Sequence, residues 1–287
     1  MHTATRSAYQ PARIVLADLQ AWLKDNDAGA LDYVTLGGAG EPCLNSELGE
    51  IITGVKSLVP RVPVAVLTNS CLLGDPQVAR ELIKADVILP SLDSLVPEEF
   101  WRINRPCVKL RPQEVADHLL RFARDFSGSI FLEVLLVQGV NDSQRNLELL
   151  HAYCRTLQAQ RVDVLSMTRP GAYSLEGQVD AQVLAHWREI LNPGHGEGQA
   201  AGRPSQRFQP CSGPCDVRDL PSDIVASLQR RPQTRQQLTE ALGAEDHLVA
   251  QTLDTLLREE ILMHRTMKGQ TYYLFKHFEP DVESYGC

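Results

Sequence analysis

Asp32-Tyr-Val-Thr-Leu-Gly37-Gly38-Ala39-Gly40-Glu41-Pro42 is the stretch on which the fold turns. A short β-rich apolar run stops abruptly in glycines, a carboxylate and a proline. In parallel α/β folds, ligands sit just past the carboxyl ends of strands. Glycine lets backbone N–H and C=O groups come close to a small molecule, and Glu41 supplies a carboxylate able to hold an amine. Taken alone, the same residues could form an ordinary tight turn. They are not a phosphate loop, because no Lys-Ser/Thr follows.

Outward from this stretch, strand and helix patterns alternate. Helical periodicity covers Pro11–Asp27, Leu48–Leu58, Pro76–Lys84, Pro112–Phe126, Ser143–Gln158 and Ala181–Leu191. Between them, Asp32–Leu36, Val62–Leu67, Asp86–Pro90, Ile130–Val137 and Val162–Ser166 read as strands. Short connections between alternating elements imply parallel βαβ units with right-handed crossovers, an α/β fold. The chain opens on a helix, so the expected parallel unit lacks a leading strand.

Residues 1–191 therefore form one domain. Asn192–Leu220 is rich in Gly, Pro, Gln and Ser, shows no periodicity and reads as a linker. From Pro221 to Cys287, helices fit Ser222–Gln229, Thr234–Leu242 and Asp246–Glu260. Two strands follow, Ile261–Arg265 and Thr271–Phe275, joined by a turn at Lys268-Gly269. Three helices and a β-ribbon suggest a small winged-helix domain.

Composition narrows the classes. The 287 residues include 43% hydrophobic residues, enough for a sizeable core, and carry a net charge of −8. That charge disfavours nucleic acid as a general partner. No apolar run approaches the ~20 residues that cross a bilayer, and Met1–Gln10 lacks a signal-peptide core. Cytoplasm is the expected compartment. The seven cysteines are mostly scattered, which suits thiols in a reducing environment. The eight histidines show no zinc spacing, no lysine falls at a core strand end, and there is no Gly-x-Ser-x-Gly elbow.

Polar residues gather at the strand ends. Thr68, Asn69 and Ser70 follow the second strand, and Ser91 and Asp93 the third. The fourth carries Glu133 in its body and Gln138, Asn141 and Asp142 at its end; Ser166, Thr168 and Arg169 follow the fifth. Asn69 and Asp93 could equally cap the next helices. Glu133 is harder to explain structurally, because a lone buried carboxylate is costly without a partner.

In order, Tyr33-Val-Thr-Leu-Gly-Gly-Ala-Gly-Glu-Pro-Cys-Leu-Asn45, Pro63-Val-Ala-Val-Leu-Thr-Asn-Ser70, Ala85-Asp-Val-Ile-Leu-Pro-Ser-Leu-Asp93, Arg102-Ile-Asn-Arg-Pro106 and Phe131-Leu-Glu-Val-Leu-Leu-Val-Gln-Gly-Val-Asn-Asp142 resemble one lineage of radical S-adenosylmethionine (SAM) proteins, the wyosine-synthase-like iron–sulfur oxidoreductases. The resemblance runs from about Tyr9 to about Pro170, and some members carry a C-terminal winged helix. It implies a partial (β/α)6 TIM-like barrel, here without its first strand. It implies that Gly37, Gly38, Gly40 and Glu41 hold the methionine amino group of SAM. Thr68 and Asn69 would lie beside it, Ser91 and Asp93 near the ribose, and Glu133 and Asn141 would complete the cradle. Arg105 and Arg169 are substrate-facing candidates on charge alone. The family uses a [4Fe–4S] cluster, an electron donor and a substrate, cleaving SAM to methionine and a 5′-deoxyadenosyl radical.

That chemistry needs thiolates in Cys-x-x-x-Cys-x-x-Cys on the loop after the first strand. This sequence has no such motif, and it begins at the helix that should follow the loop. The first expectation is a radical SAM enzyme whose true start lies upstream of Met1. A second is a SAM-binding or regulatory module with no cluster. A third is a winged-helix transcription regulator. No metal ligands are assigned; Cys211 and Cys215 in the linker could hold an auxiliary cluster or metal only with a distant third cysteine such as Cys287, and otherwise read as two free thiols of a loop. DNA is disfavoured for the winged helix, because Glu245–Glu260 holds five acids and Arg258 as its only lysine or arginine.

Overall fold

The computed structural model describes residues 3–38, 40–106, 109–168, 170, 177–192, 220–267 and 269–276. Arg169 and the segment with Cys211 and Cys215 lie outside the described residues. The chain divides into two compact units, the first built on Met1–Ser166 with Gly177–His195, the second mainly on Gly196–Cys287.

The first unit holds strands β1 (Val34–Leu36), β2 (Val64–Thr68), β3 (Val87–Pro90), β4 (Ser129–Leu136) and β5 (Arg161–Ser166). Its helices are α1 (Ala12–Trp22), α2 (Leu48–Leu58), α3 (Pro76–Leu82), α4 (Pro97–Asn104), α5 (Pro112–Asp125), α6 (Gln144–Leu157) and α7 (Ala181–Leu191). All strands are parallel, in the order β1-β2-β3-β4-β5. The order never reverses. Right-handed crossovers in one direction put every connecting helix on the same side of the sheet, as in a barrel wall rather than a doubly wound sheet.

Burial agrees with this. Along β4, exposure alternates strictly, with Ile130, Leu132, Val134 and Leu136 buried and Phe131, Glu133 and Leu135 half-buried between them. The buried set joins Val64 and Val66 of β2, Ile88 of β3, Val162 and Val164 of β5 and helix residues such as Ile52, Leu82, Leu119 and Leu150 in one core. The other strand face is only partly covered, and at its β5 edge Leu165 is 43% exposed. A sheet packed on one side reads as alternation, whereas a sheet covered on both sides reads as a continuous apolar run.

Local chemistry sets the helix limits. Asp75, Ser143 and Asp180 cap α3, α6 and α7 by accepting from Gln77 N (2.7 Å), Asn146 N (3.1 Å) and Gln182 N (2.7 Å). Pro76, Pro97 and Pro112 stand in the first turns of α3, α4 and α5, where no N–H is needed. At the start of α1 there is no local cap. Instead Glu47, from the loop before α2, accepts from Ala12 N at 2.6 Å. Helix α1 is shorter than its periodicity suggests, ending at Trp22, where Asn26 Nδ2 turns back onto the Trp22 carbonyl at 2.8 Å. Helix α4 is an element the periodicity does not announce: it has eight residues and one buried side chain, Phe100.

The second unit contains α8 (Leu220–Arg230), β6 (Gln233–Thr234), α9 (Arg235–Leu242), α10 (Asp246–Arg258), β7 (Leu262–Met267) and β8 (Gln270–Phe275). The strands form an antiparallel sheet in the order β6-β8-β7. Ile224, Leu228, Leu238, Val249, Leu253, Leu256 and Leu262 make its own core. Strand β6 is the addition to the expected helices and ribbon. Gly243 and Gly269, at φ 61° and 74°, end α9 and turn the β7–β8 hairpin in the left-handed region that glycine tolerates.

The two faces of the sheet should differ sharply in mutational cost. Leu132→Ala, on the helix side and 0% exposed, is expected to lower unfolding free energy by about 2–5 kcal/mol. Leu165→Ala, on the opposite face, should cost under about 1 kcal/mol. Urea unfolding of both variants checks this, and equal costs would contradict a sheet covered on one side.

Candidate functional site

At the carboxyl end of the sheet, each strand's tail is tied to its neighbour by a side chain. Glu41, two residues past Ala39, accepts three hydrogen bonds. Thr68 Oγ1 donates to its Oε1 at 2.7 Å, Cys43 N to the same oxygen at 3.0 Å, and Asn69 N to Oε2 at 2.7 Å. The carboxylate therefore clamps the β1 tail onto the end of β2. It keeps about one of its roughly four acceptor sites for anything else. Ser70, at φ 65°, donates from Oγ to the Ser91 carbonyl at 2.9 Å, linking β2 to β3.

Asp93 makes the next link. Its Oδ1 accepts from Leu135 N of β4 at 2.8 Å and its Oδ2 from Asn104 Nδ2 at the end of α4 at 2.9 Å. Its carbonyl accepts from Asn141 Nδ2 at 2.7 Å and Asn146 Nδ2 at 3.1 Å. Asn141 is fully buried, with its Oδ1 holding Val137 N at 2.8 Å and its Nδ2 also reaching the Leu135 carbonyl at 2.8 Å. Burial pushes the Asp93 carboxyl up to about 6, against the two hydrogen bonds that favour its charged form. Beside it, Asn104 Oδ1 is buried without a partner.

A polar row crosses the open face of the sheet at this level. Ser91 pairs in register with Glu133, and Glu133 with Asp163. Thr68 pairs with Pro90, so Asn69 comes level with Ser91. Alternation puts Asn69, Ser91, Glu133 and Asp163 on the face opposite the helices. Arg161, one pleat back, bonds Asp163 Oδ2 through Nε at 2.9 Å and Nη2 at 2.7 Å, and its guanidinium lies 4.1 Å from the Phe131 ring centre. The Glu133 carbonyl accepts from Leu92 N at 3.0 Å, but its carboxyl has no hydrogen-bond or ion-pair partner among the described residues. Burial raises its carboxyl above the usual range, with Asp163 and Asp93 adding to the effect and Arg161 opposing it.

The expected residues thus separate. Asn69, Ser91 and Glu133 share the row, with Gly37, Gly38 and Gly40 at its β1 end. Glu41, Thr68, Asp93 and Asn141 are occupied in holding the strand tails. Arg105 ends α4 in the left-handed region at φ 42°; its Nε donates to the Arg102 carbonyl at 3.3 Å. Arg161 and Asp163 stand at and just after the start of β5, where strand-end polarity does not point to them. Their signal was the charge–apolar alternation of Arg161-Val-Asp163-Val, out of place in a strand with two buried faces.

The glycines are informative by elimination. Gly37 and Gly38 do not adopt positive φ. A Cβ at Gly38 or Gly40 would meet nothing within 4 Å, and at Gly37 only Leu67 at ordinary contact distance, 3.8 Å. Neither backbone conformation nor packing explains them, so the space they leave is available to a ligand. A cluster site is not evident: among the described residues no group of three or more His, Cys, Asp or Glu could hold a metal ion. Cys43 is buried against Thr68 Oγ1 at 3.4 Å, with burial raising its thiol first and Glu41 next. Burial pushes Cys154, on α6, up to about 12.

No family model matches the chain. It is 37% identical over 139 residues to a UPF0026 protein of Synechocystis, covering 48% of this chain and 52% of that protein. It is 33% identical over 143 residues to a UPF0026 protein of Helicobacter pylori, covering 50% and 46%. The chain spans about half the length of these curated relatives. Among solved structures, it resembles a domain of pyruvate-formate lyase-activating enzyme from Bacteroides vulgatus, with 20% identity, a TM-score of 0.42, and 56% of this chain and 93% of that one covered. It also resembles a radical SAM methyltransferase from Sphaerobacter thermophilus, with 18% identity, a TM-score of 0.42, and 63% and 52% covered.

Asp93 makes a testable contribution to stability. The folded chain holds its proton more tightly than the unfolded chain, whose aspartate titrates near 3.9. The stabilisation from the retained proton is present below about pH 4 and is lost as pH rises through about 6. The loss is on the order of 3 kcal/mol. Asp93→Asn should abolish it, with the Asn104 amide turned so that its Oδ1 accepts from the new Nδ2. Urea unfolding of both proteins from pH 4 to 7 gives the difference, and a constant gap across that range would refute the assignment.

Proposed function

We propose that the carboxyl ends of β1–β3 bind S-adenosylmethionine, and that the chain is part of a radical SAM enzyme. The observation that carries this reading is the open space at Gly38 and Gly40, past the end of β1 and on the side of the neighbouring strand tails with Asn69 and Ser91. The ordered motifs from Tyr33 to Asp142 support it. The non-reversing parallel sheet also supports it, because all five strands end on the same side.

The site's chemistry suits the ligand. SAM carries an ammonium and a carboxylate, a sulfonium, two ribose hydroxyls and a purine. In this reading, backbone groups at Gly37–Gly40 and the remaining acceptor capacity of Glu41 receive the ammonium. Asn69 and Ser91 offer donors and acceptors to the carboxylate and ribose. Thr68, Asp93 and Asn141 act one step removed, fixing the loops that present those groups. Bound there, SAM supplies an activated sulfonium with transferable carbon groups.

The residues described do not fit an iron–sulfur cluster, which needs three thiolates converging on one centre. For the second unit we propose a winged-helix form that packs on protein rather than DNA. Arg235, the first residue of α9, is already paired with Asp246 of α10 at 3.0 Å.

Calorimetric titration with SAM tests the reading. Saturable binding is expected. Gly38→Val fills space that the protein itself does not use, so it should weaken SAM at least tenfold while leaving the unfolding midpoint unchanged. Absence of SAM binding by the unaltered chain overturns the proposal, as does unchanged binding by the Gly38 variant.

A further inference from the structure

The open face has two unlike halves. Toward β1 it carries glycines, an amide and a hydroxyl. Toward β5 it carries charge: Glu133, Asp163 and Arg161, with Phe131 beneath the guanidinium. Neighbouring strands are about 4.8 Å apart, so β1 and β5 are separated by roughly 19 Å. That leaves room on β4–β5 for a second molecule beside one lying on β1–β3.

The charges there are not arranged for stability. Glu133 and Asp163 stand directly opposite each other on adjacent parallel strands, a placement in which like charges repel. Arg161 satisfies Asp163 with two bonds to one oxygen and is itself held against Phe131. After that pairing one carboxyl remains, half-buried and without a partner. Leaving it unpaired is costly. An anion placed there would meet Glu133 head-on, and an apolar group would seal the carboxyl without satisfying it. A cationic N–H donor would repay both debts: it supplies the missing hydrogen bonds and relieves the Glu133–Asp163 repulsion.

We infer that the β4–β5 half is a subsite for a protonated amine or amidine group of the second reactant, received by Glu133 beside the Arg161–Asp163 pair. The inference rests on the reading of β1–β3 as the SAM half. It makes Glu133 a substrate-side group, and Arg161 and Asp163 the residues that position and charge-balance it.

The test uses the full chain labelled at carboxyl carbons and titrated with n-butylamine, butylguanidine, n-butanol and butyrate. Saturable binding of the two cations is expected, at least tenfold tighter than butanol, with the Glu133 side-chain carbon resonance moving as they bind and no binding of butyrate. Glu133→Gln should weaken the cations at least tenfold. Binding should persist with S-adenosylhomocysteine present at saturation. Equal or tighter binding of butyrate overturns the inference, as do an unmoved Glu133 resonance or an unaffected Gln variant. Should that variant fail to fold, the Glu133 resonance of the unaltered chain decides alone. Displacement of the amine by S-adenosylhomocysteine shows it occupied the SAM half and likewise overturns the inference. Amine binding without any SAM binding removes the earlier proposal instead.

Discussion

Asp93 is the point on which the carboxyl end of the sheet depends. Parallel strands that stop together leave backbone donors and acceptors with no ladder partner, and buried ones must be satisfied some other way. At Asp93, one buried residue gathers the end of β4 through Leu135 N, the end of α4 through Asn104, and the β4–α6 connection through Asn141 and Asn146. The links on either side repeat the device: Glu41 joins β1 to β2, Ser70 joins β2 to β3, and Ser166 Oγ joins β5 to the Leu136 carbonyl at 3.3 Å. The rim is held by a relay of side chains, which is why a short edge strand of three residues can present its tail in a defined place.

The burial of Asp93 has a cost that the relay offsets. A carboxylate with only two hydrogen bonds in an apolar setting drifts toward its protonated form. The unpartnered Asn104 Oδ1 belongs to the same picture, because a turned amide would accept a hydrogen bond from the O–H of a neutral Asp93. One position can therefore exist in two hydrogen-bonded forms without moving the backbone.

Much of this was legible in the residues, and what was not has physical causes. Strand β4 could be placed because Ile130–Val137 is long and apolar; its alternation in burial, with a core on one side only, is the structure's addition. The glycine turn marked the carboxyl end of β1 because a β-rich run cannot continue through Gly37-Gly38 without loss. Helix α4 was missed because eight residues with one buried side chain leave little periodicity, although Pro97, Glu98, Glu99 and Pro106 punctuate it. Asp93 and Asn141 could be located at strand ends, but sequence position does not say which way a side chain points. Only the fold showed them turned into the rim. Arg161 and Asp163 are not marked by strand-end polarity, because they stand at and just after the start of β5 rather than past its end.

Three carboxyl groups at one end of one sheet illustrate how partners, not residue type, divide the work. Glu41 accepts three hydrogen bonds and behaves as a clamp. Asp93 accepts two in full burial and becomes a proton-holding brace. Glu133 accepts none and faces the open side, where its charge has not been spent on the fold. Among the described residues the Glu133 carboxyl is set opposite another acid and level with the polar ends of its neighbours, and no strand tail engages it. Hydrogen-bond partners, not residue type, therefore separate the two carboxyls that hold the rim from the one that the rim does not use.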